Sequence, residues 1–204
     1  MKLHWSGRSP FVRFVCVAAH ERNLFDQLDC VRTVVAMLKP NLELLPENPL
    51  SKLPTLVLDD GSALYDSRVI TQYFAMIGSG PALYPTEPQA RLDALRREAL
   101  GVGILDFLLL WRSERDKPAE RQSAELIAAF HIKIEAALQR LELDRPALQR
   151  DGFQADQIVV ACALFYLDFR FPQLGWRTDH PDLAAWADRS ALRPSMQATL
   201  FRDD

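Results

Sequence analysis

Ser6-Gly7-Arg8-Ser9-Pro10-Phe11-Val12-Arg13 is the stretch on which the fold of this chain turns. Residues 1–5 before it read as a short strand. Residues 10–21 after it read as a helix, with Phe11, Val12, Phe14, Val15, Ala18 and Ala19 on an apolar face at helical spacing. The Ser-Pro junction is a helix start, because serine is a good N-cap and proline suits the first helical position. Ser9 is therefore expected at a helix N-terminus, where free backbone N–H groups and the positive end of the dipole favour an anion. Taken alone, the pair does no more than cap a helix, and the rest of the chain has to decide.

Downstream, the Val-Arg-Thr-Val-Val-Ala-Met run at 31–37 predicts a second strand, followed by a loop with Pro40, Pro46 and Pro49 and room for one short helical turn. Residues 55–58 and 63–65 are short strands across Asp59-Asp60-Gly61, a strong hairpin signal. Asp66-Ser67 then opens a helix with Val69, Ile70, Tyr73, Phe74 and Ile77 on one face. Gly78, Gly80, Pro81, Pro85 and Pro88 mark a linker, and Thr86 with Gln89 has capping-box spacing. Beyond it only helices are predicted: 89–115, interrupted by Gly101 and Gly103; 119–141; the almost continuously apolar 158–169; and 181–191. The expected layout is an α/β domain over residues 1–78 in the order β-α-β-α-β-β-α, a linker over 79–87, and an all-α domain over 88–204.

Composition narrows the function classes. The chain has 204 residues, a net charge of −3 and 49% hydrophobic residues, enough for a real core. It carries no basic block, so charge gives no reason to expect a nucleic-acid partner. No apolar run is long enough for a membrane span, and the polar turn within six residues of Met1 leaves no room for a signal peptide; a cytoplasmic protein is expected. Cys16, Cys30 and Cys162 are too far apart for a metal motif or a disulfide framework, and the four histidines are scattered. No metal is expected.

Several short motifs in fixed order carry a resemblance. They are Ser9-Pro10-Phe11-Val12-Arg13, Asn48-Pro49-Leu50-Ser51-Lys52-Leu53-Pro54, Asp66-Ser67-Arg68, Tyr166-Leu167-Asp168-Phe169-Arg170-Phe171-Pro172, and Trp186 followed by Arg193-Pro194-Ser195. Over nearly its whole length the chain resembles the cytosolic glutathione S-transferases, and within them bacterial members of serine type. The resemblance implies a thioredoxin-like first domain, a helical second domain, glutathione as co-substrate, and a homodimer.

It also implies a site. Ser9 would be the catalytic residue, donating a hydrogen bond to the glutathione thiolate. Ser9, Phe11, Lys52, Leu53, Pro54, Asp66 and Ser67 would hold glutathione, with the Leu53–Pro54 bond cis and the Leu53 backbone pairing with the cysteinyl part. Ser67 and nearby N–H groups suit the γ-glutamyl carboxylate, and Asp66 its amino group; both residues would equally well cap a helix. Arg8, Phe11, Phe107, Leu108 and Trp111 are candidates for the electrophile pocket, although apolar residues at helical spacing are more often core. Ser6 is a second hydroxyl in the same turn. His4 and Trp5 stand where tyrosine-type members have their tyrosine, and no Cys-x-x-Cys opens the first helix, which argues against disulfide reduction. Gln154 and Gln157 replace the usual cap of a buried helix, leaving Asp156 as an alternative cap. Two other functions stay open: a binding module on the same scaffold, and a glutathione-dependent isomerase or lyase.

Overall fold

The computed structural model describes residues 1–203. Strand β1 (Lys2–Trp5) lies inside a four-stranded sheet with β2 (Asp29–Arg32), β3 (Thr55–Val57) and β4 (Ala63–Leu64), in the order β2-β1-β3-β4. β1 runs parallel to β2, with Leu3 opposite Cys30, and antiparallel to β3, with His4 opposite Thr55. β3 and β4 form the expected hairpin, with Leu56 opposite Leu64 and Gly61 at a φ of 86°. Both faces of the inner strands are covered: Leu3 and Leu56 on one face and Thr55 on the other are fully buried.

Helix α1 (Pro10–Glu21) follows β1, and Ser9 is its N-cap, with its Oγ accepting the Val12 N–H at 3.3 Å. Val12 to Ala19 are all buried, because α1 packs on α2 (Ser67–Ile77) on one side and on α5 (Ala155–Arg170) on the other. α3 (Pro88–Arg115) and α4 (Ala124–Leu148) pack as neighbours, α3 also packs along α5, and α4 meets α7 (Pro181–Ala191). The short α6 (Trp176–Asp179) and α8 (Pro194–Gln197) complete the helices. An α/β sheet region is thus followed by an all-α region, and α5 is the central helix of the latter.

Local details depart from expectation. β2 ends at Arg32 instead of continuing to Met37. Its last ladder bond is Thr33 N–H to the Trp5 carbonyl, and beyond that β1 has turned away and offers no partner. Residues 41–50 form a chain of turns where the expected order has a helix, in a segment where Pro46 and Pro49, with Pro40 just before it, remove backbone donors. Glu87, not Thr86, caps α3, accepting from Gln89 and Ala90 at 2.9 and 2.6 Å. α3 runs through both glycines without a break. A Cβ on Gly101 would lie 2.8 Å from Val159 Cγ1, so this glycine lets α3 and α5 approach closely. At α5, Gln157 Oε1 accepts the Gln154 N–H at 2.7 Å, a glutamine version of the capping box. Asp156 does not cap: its fully buried carboxylate pairs with Arg97 Nε at 2.8 Å and with Arg150.

Candidate functional site

Strand register brings the predicted residues together. β1 runs into the turn that ends at Ser9. β3 is antiparallel to it, so Leu53 and Pro54, just before Thr55, lie beside the end of β1. β4 is antiparallel to β3, so Asp66 and Ser67 emerge beside the start of β3. Three loops and the N-termini of α1 and α2 therefore meet at one end of the sheet.

The Leu53–Pro54 peptide is cis, and both residues are buried. Asn48 holds the loop that carries them, a role that the sequence reading did not assign. It is buried, its Nδ2 donates to Thr55 Oγ1 at 2.9 Å and to the Lys52 carbonyl at 3.2 Å, and its Oδ1 accepts the Leu50 N–H at 3.0 Å. The sequence signal was the Asn-Pro pair itself, a turn former whose side chain bonds local backbone. Lys52 is exposed on this loop, within electrostatic reach of Asp106 on α3.

At the start of α2 the two polar residues divide the work. Asp66 is the N-cap and accepts the Arg68 N–H at 2.9 Å, while Arg68 Nη2 pairs with it at 3.1 Å. Burial raises the Asp66 pKa, but the bonds from the Arg68 side chain and backbone outweigh it and hold the carboxyl below its usual range. Ser67, the first residue of α2, is buried at that helix N-terminus. Asp106 moves the other way: burial raises its pKa, and Lys52 and Arg68 counter only part of that.

The β1–α1 turn faces a different element on its other side. A cavity of about 460 Å³ lies between this turn, α1 and residues 197–202, lined by Trp5, Ser9, Val12, Cys16, Cys30 and Phe201 among others. Ser6 and Ser9 reach it; Leu53, Asp66 and Ser67 do not. Ser6 Oγ accepts the Arg8 N–H at 3.4 Å within the turn. The thiols are not poised as nucleophiles, since burial raises the pKa of Cys16, Cys30 and Cys162, the last to about 12. No group of three or more His, Cys, Asp or Glu among the described residues could hold a metal, and no single helix is long and apolar enough to cross a membrane.

The expected pocket walls separate. Arg8 is exposed and Phe11 half-buried at the turn. Phe107 is half-buried but turned toward α4, 6.1 Å from Phe130 and under Lys133. Leu108 is fully buried, and Trp111 packs between Phe130 and Phe171 with 6% exposure; both belong to the core. α3 is covered on that side by α4 and α5, so Leu108 and Trp111 point inward.

The family model for the glutathione S-transferase N-terminal domain matches residues 8–76, and that for the C-terminal domain matches 124–189. The chain is 32% identical over 203 residues, 98% of each chain, to the uncharacterized GST-like protein YibF of Escherichia coli (strain K12). A glutathione transferase family member from Pseudomonas fluorescens Pf-5, solved with bound glutathione, is 39% identical with 99% of each chain covered and a TM-score of 0.95. The form with bound S-(propanoic acid)-glutathione gives 38% identity over the full length of both chains and a TM-score of 0.90.

Proposed function

The chain belongs to the glutathione S-transferase family, and from that footing we propose that it joins the glutathione thiolate to a small hydrophobic electrophile, as a serine-type member. The observation that carries this reading is the convergence of Ser9, Leu53–Pro54 and Asp66–Ser67 at one end of the sheet. Relatives that hold glutathione, and in one case an S-substituted glutathione, support it.

Each group has a task. The Ser67 hydroxyl and the N-terminus of α2 take the γ-glutamyl carboxylate, and Asp66, kept ionised by Arg68, takes the amino group. Leu53 pairs its backbone with the cysteinyl part, Pro54 and Phe11 flank it, and Lys52 meets the glycyl carboxylate. A free thiol has a pKa of about 8.5, so a two-unit drop needs about 2.7 kcal/mol of preference for the thiolate. A hydrogen bond donated by Ser9 Oγ and the N-terminus of α1 supply it. The sulfur lone pair then forms the S–C bond. The electron pair of the broken bond leaves with the leaving group, or, in an addition, moves to a carbon that takes up a proton. Arg8 and Phe11 border the electrophile on the turn, with Phe107 at the edge of α3.

The division into residues 1–78 and 88–204, a cytoplasmic setting and a homodimer complete the proposal. Exposed Val69 and Met76 on α2 and Leu92 on α3 offer apolar surface for the dimer. The test is calorimetric titration with reduced glutathione. Saturable binding that Ser67→Ala weakens at least tenfold supports the site; absence of binding at millimolar glutathione removes it.

A further inference from the structure

We propose that Arg8, Arg112 and Arg170 form an anion subsite next to Ser9, that it receives a carboxylate carried by the electrophile, and that the Asp203 side chain occupies it in this structure. The inference rests on the glutathione reading and names the substrate class within it: an apolar electrophile with an acidic end.

The three arginines come from three elements. Arg8 precedes Ser9 in the β1–α1 turn, Arg112 lies on the last two turns of α3, and Arg170 ends α5. Arg170 lies over the Phe169 ring, 3.9 Å from its centroid, which fixes the plane of the guanidinium. Its Nη1 donates to Asp203 Oδ2 at 3.2 Å and its Nη2 to Oδ1, a two-pronged grip on a carboxylate. The Arg170 hydrogen bonds first, and then the charges of Arg170, Arg8 and Arg112, hold the Asp203 carboxyl below its usual range. Arg112 also has Asp116 at 3.5 Å, and Arg115 lies beside Arg170, donating to its carbonyl at 2.8 Å. In a chain of net charge −3, this corner concentrates positive charge.

The carboxylate that fills it is built to be displaced. The tail is anchored up to Arg202, whose N–H donates to the Gly7 carbonyl at 3.2 Å and whose guanidinium lies over Trp5 at 4.9 Å. Phe201 stacks on Phe169 at 5.2 Å. Asp203 comes after these anchors, and its side chain is 63% exposed. An exposed ion pair is weak, so a carboxylate carried on a conjugate whose glutathione part is already bound beside it competes with it.

The test is a binding comparison of S-(carboxymethyl)glutathione with S-(carbamoylmethyl)glutathione, which match in shape and differ in charge. Reduced glutathione is titrated in parallel. The acid is expected to bind about fivefold tighter than the amide, more so in Asp203→Asn, where the internal competitor is gone. The preference should shrink as salt rises and disappear in Arg112→Gln and in Arg170→Gln. Thermal melting checks folding, and the more exposed Arg112 keeps the test valid if Arg170→Gln unfolds. Equal binding of acid and amide in both the unaltered chain and Asp203→Asn overturns the subsite while leaving the glutathione reading intact. Failure of glutathione itself to bind overturns that reading, and the subsite with it.

Discussion

Replacing Ser9 by alanine separates two roles of one hydroxyl. In the structure Ser9 Oγ accepts the Val12 N–H at 3.3 Å, a long bond, so loss of the cap costs about 1 kcal/mol. For a chain of this size that lowers Tm by roughly 2–4 °C. The same oxygen has its hydrogen to give to a thiolate, and a hydrogen bond to a charged group is worth about 1.5–3 kcal/mol. Its removal should lower turnover roughly ten- to a hundredfold and raise the pKa of the bound thiol by about one to two units. The N-terminus of α1 remains and still supplies about 0.3–1 kcal/mol, so activity should not vanish. Glutathione affinity should fall less than about threefold, because the tripeptide is held mainly at Leu53 and Ser67. Steady-state rates against pH, with the thiolate ultraviolet absorbance of bound glutathione, measure both quantities. Ser6→Ala is the control: Ser6 is buried and bonds within its own turn, so turnover should change little. Unchanged turnover and thiol pKa in Ser9→Ala would remove Ser9 from the mechanism, and a large loss in Ser6→Ala would move the role there.

Other changes probe the supports. Asn48→Ala leaves the Leu50 N–H without its acceptor and removes one of two bonds from the Lys52 carbonyl and from the Thr55 hydroxyl, which still bond each other, so glutathione Kd should rise about tenfold in calorimetry; a drop in Tm alone would make Asn48 purely structural. Burial pushes the Glu98 carboxyl from its ordinary 4.5 up to about 7, ahead of the opposing Tyr84 hydroxyl bond. A raised carboxyl pKa means that stability is full below about pH 4.5 and is lost as pH rises through about 7. Glu98→Gln should abolish that slope in denaturant melts, and parallel pH profiles for the two proteins would refute the assignment. Asp156→Ala strands the buried Arg97, at a cost of about 3–5 kcal/mol, or roughly 6–20 °C in Tm. A shift under about 2 °C would show that the pair carries little.

Short-range chemistry was legible in the sequence. Ser9-Pro10 and Asp66-Ser67 begin helices, Asp59-Asp60-Gly61 turns a hairpin, and the apolar run at 158–169 lies within the buried α5. Caps, turn residues and periodicity act within a few positions, so a linear reading sees them. With the ordered motifs they led to the family and to the residues proposed for the site. Tertiary structure decided what depends on partners distant in the chain. β2 stops at Arg32 because β1 has turned away, which nothing within 31–37 announces. Leu108 and Trp111 look like pocket walls on an isolated helix and become core once α4 and α5 cover α3. Arg170 meets Asp203 across 33 positions, and Arg8 joins that group from the far end of the chain. A side chain's identity and local conformation are written nearby in the sequence; which of its faces remains open to a ligand depends on what folds against it.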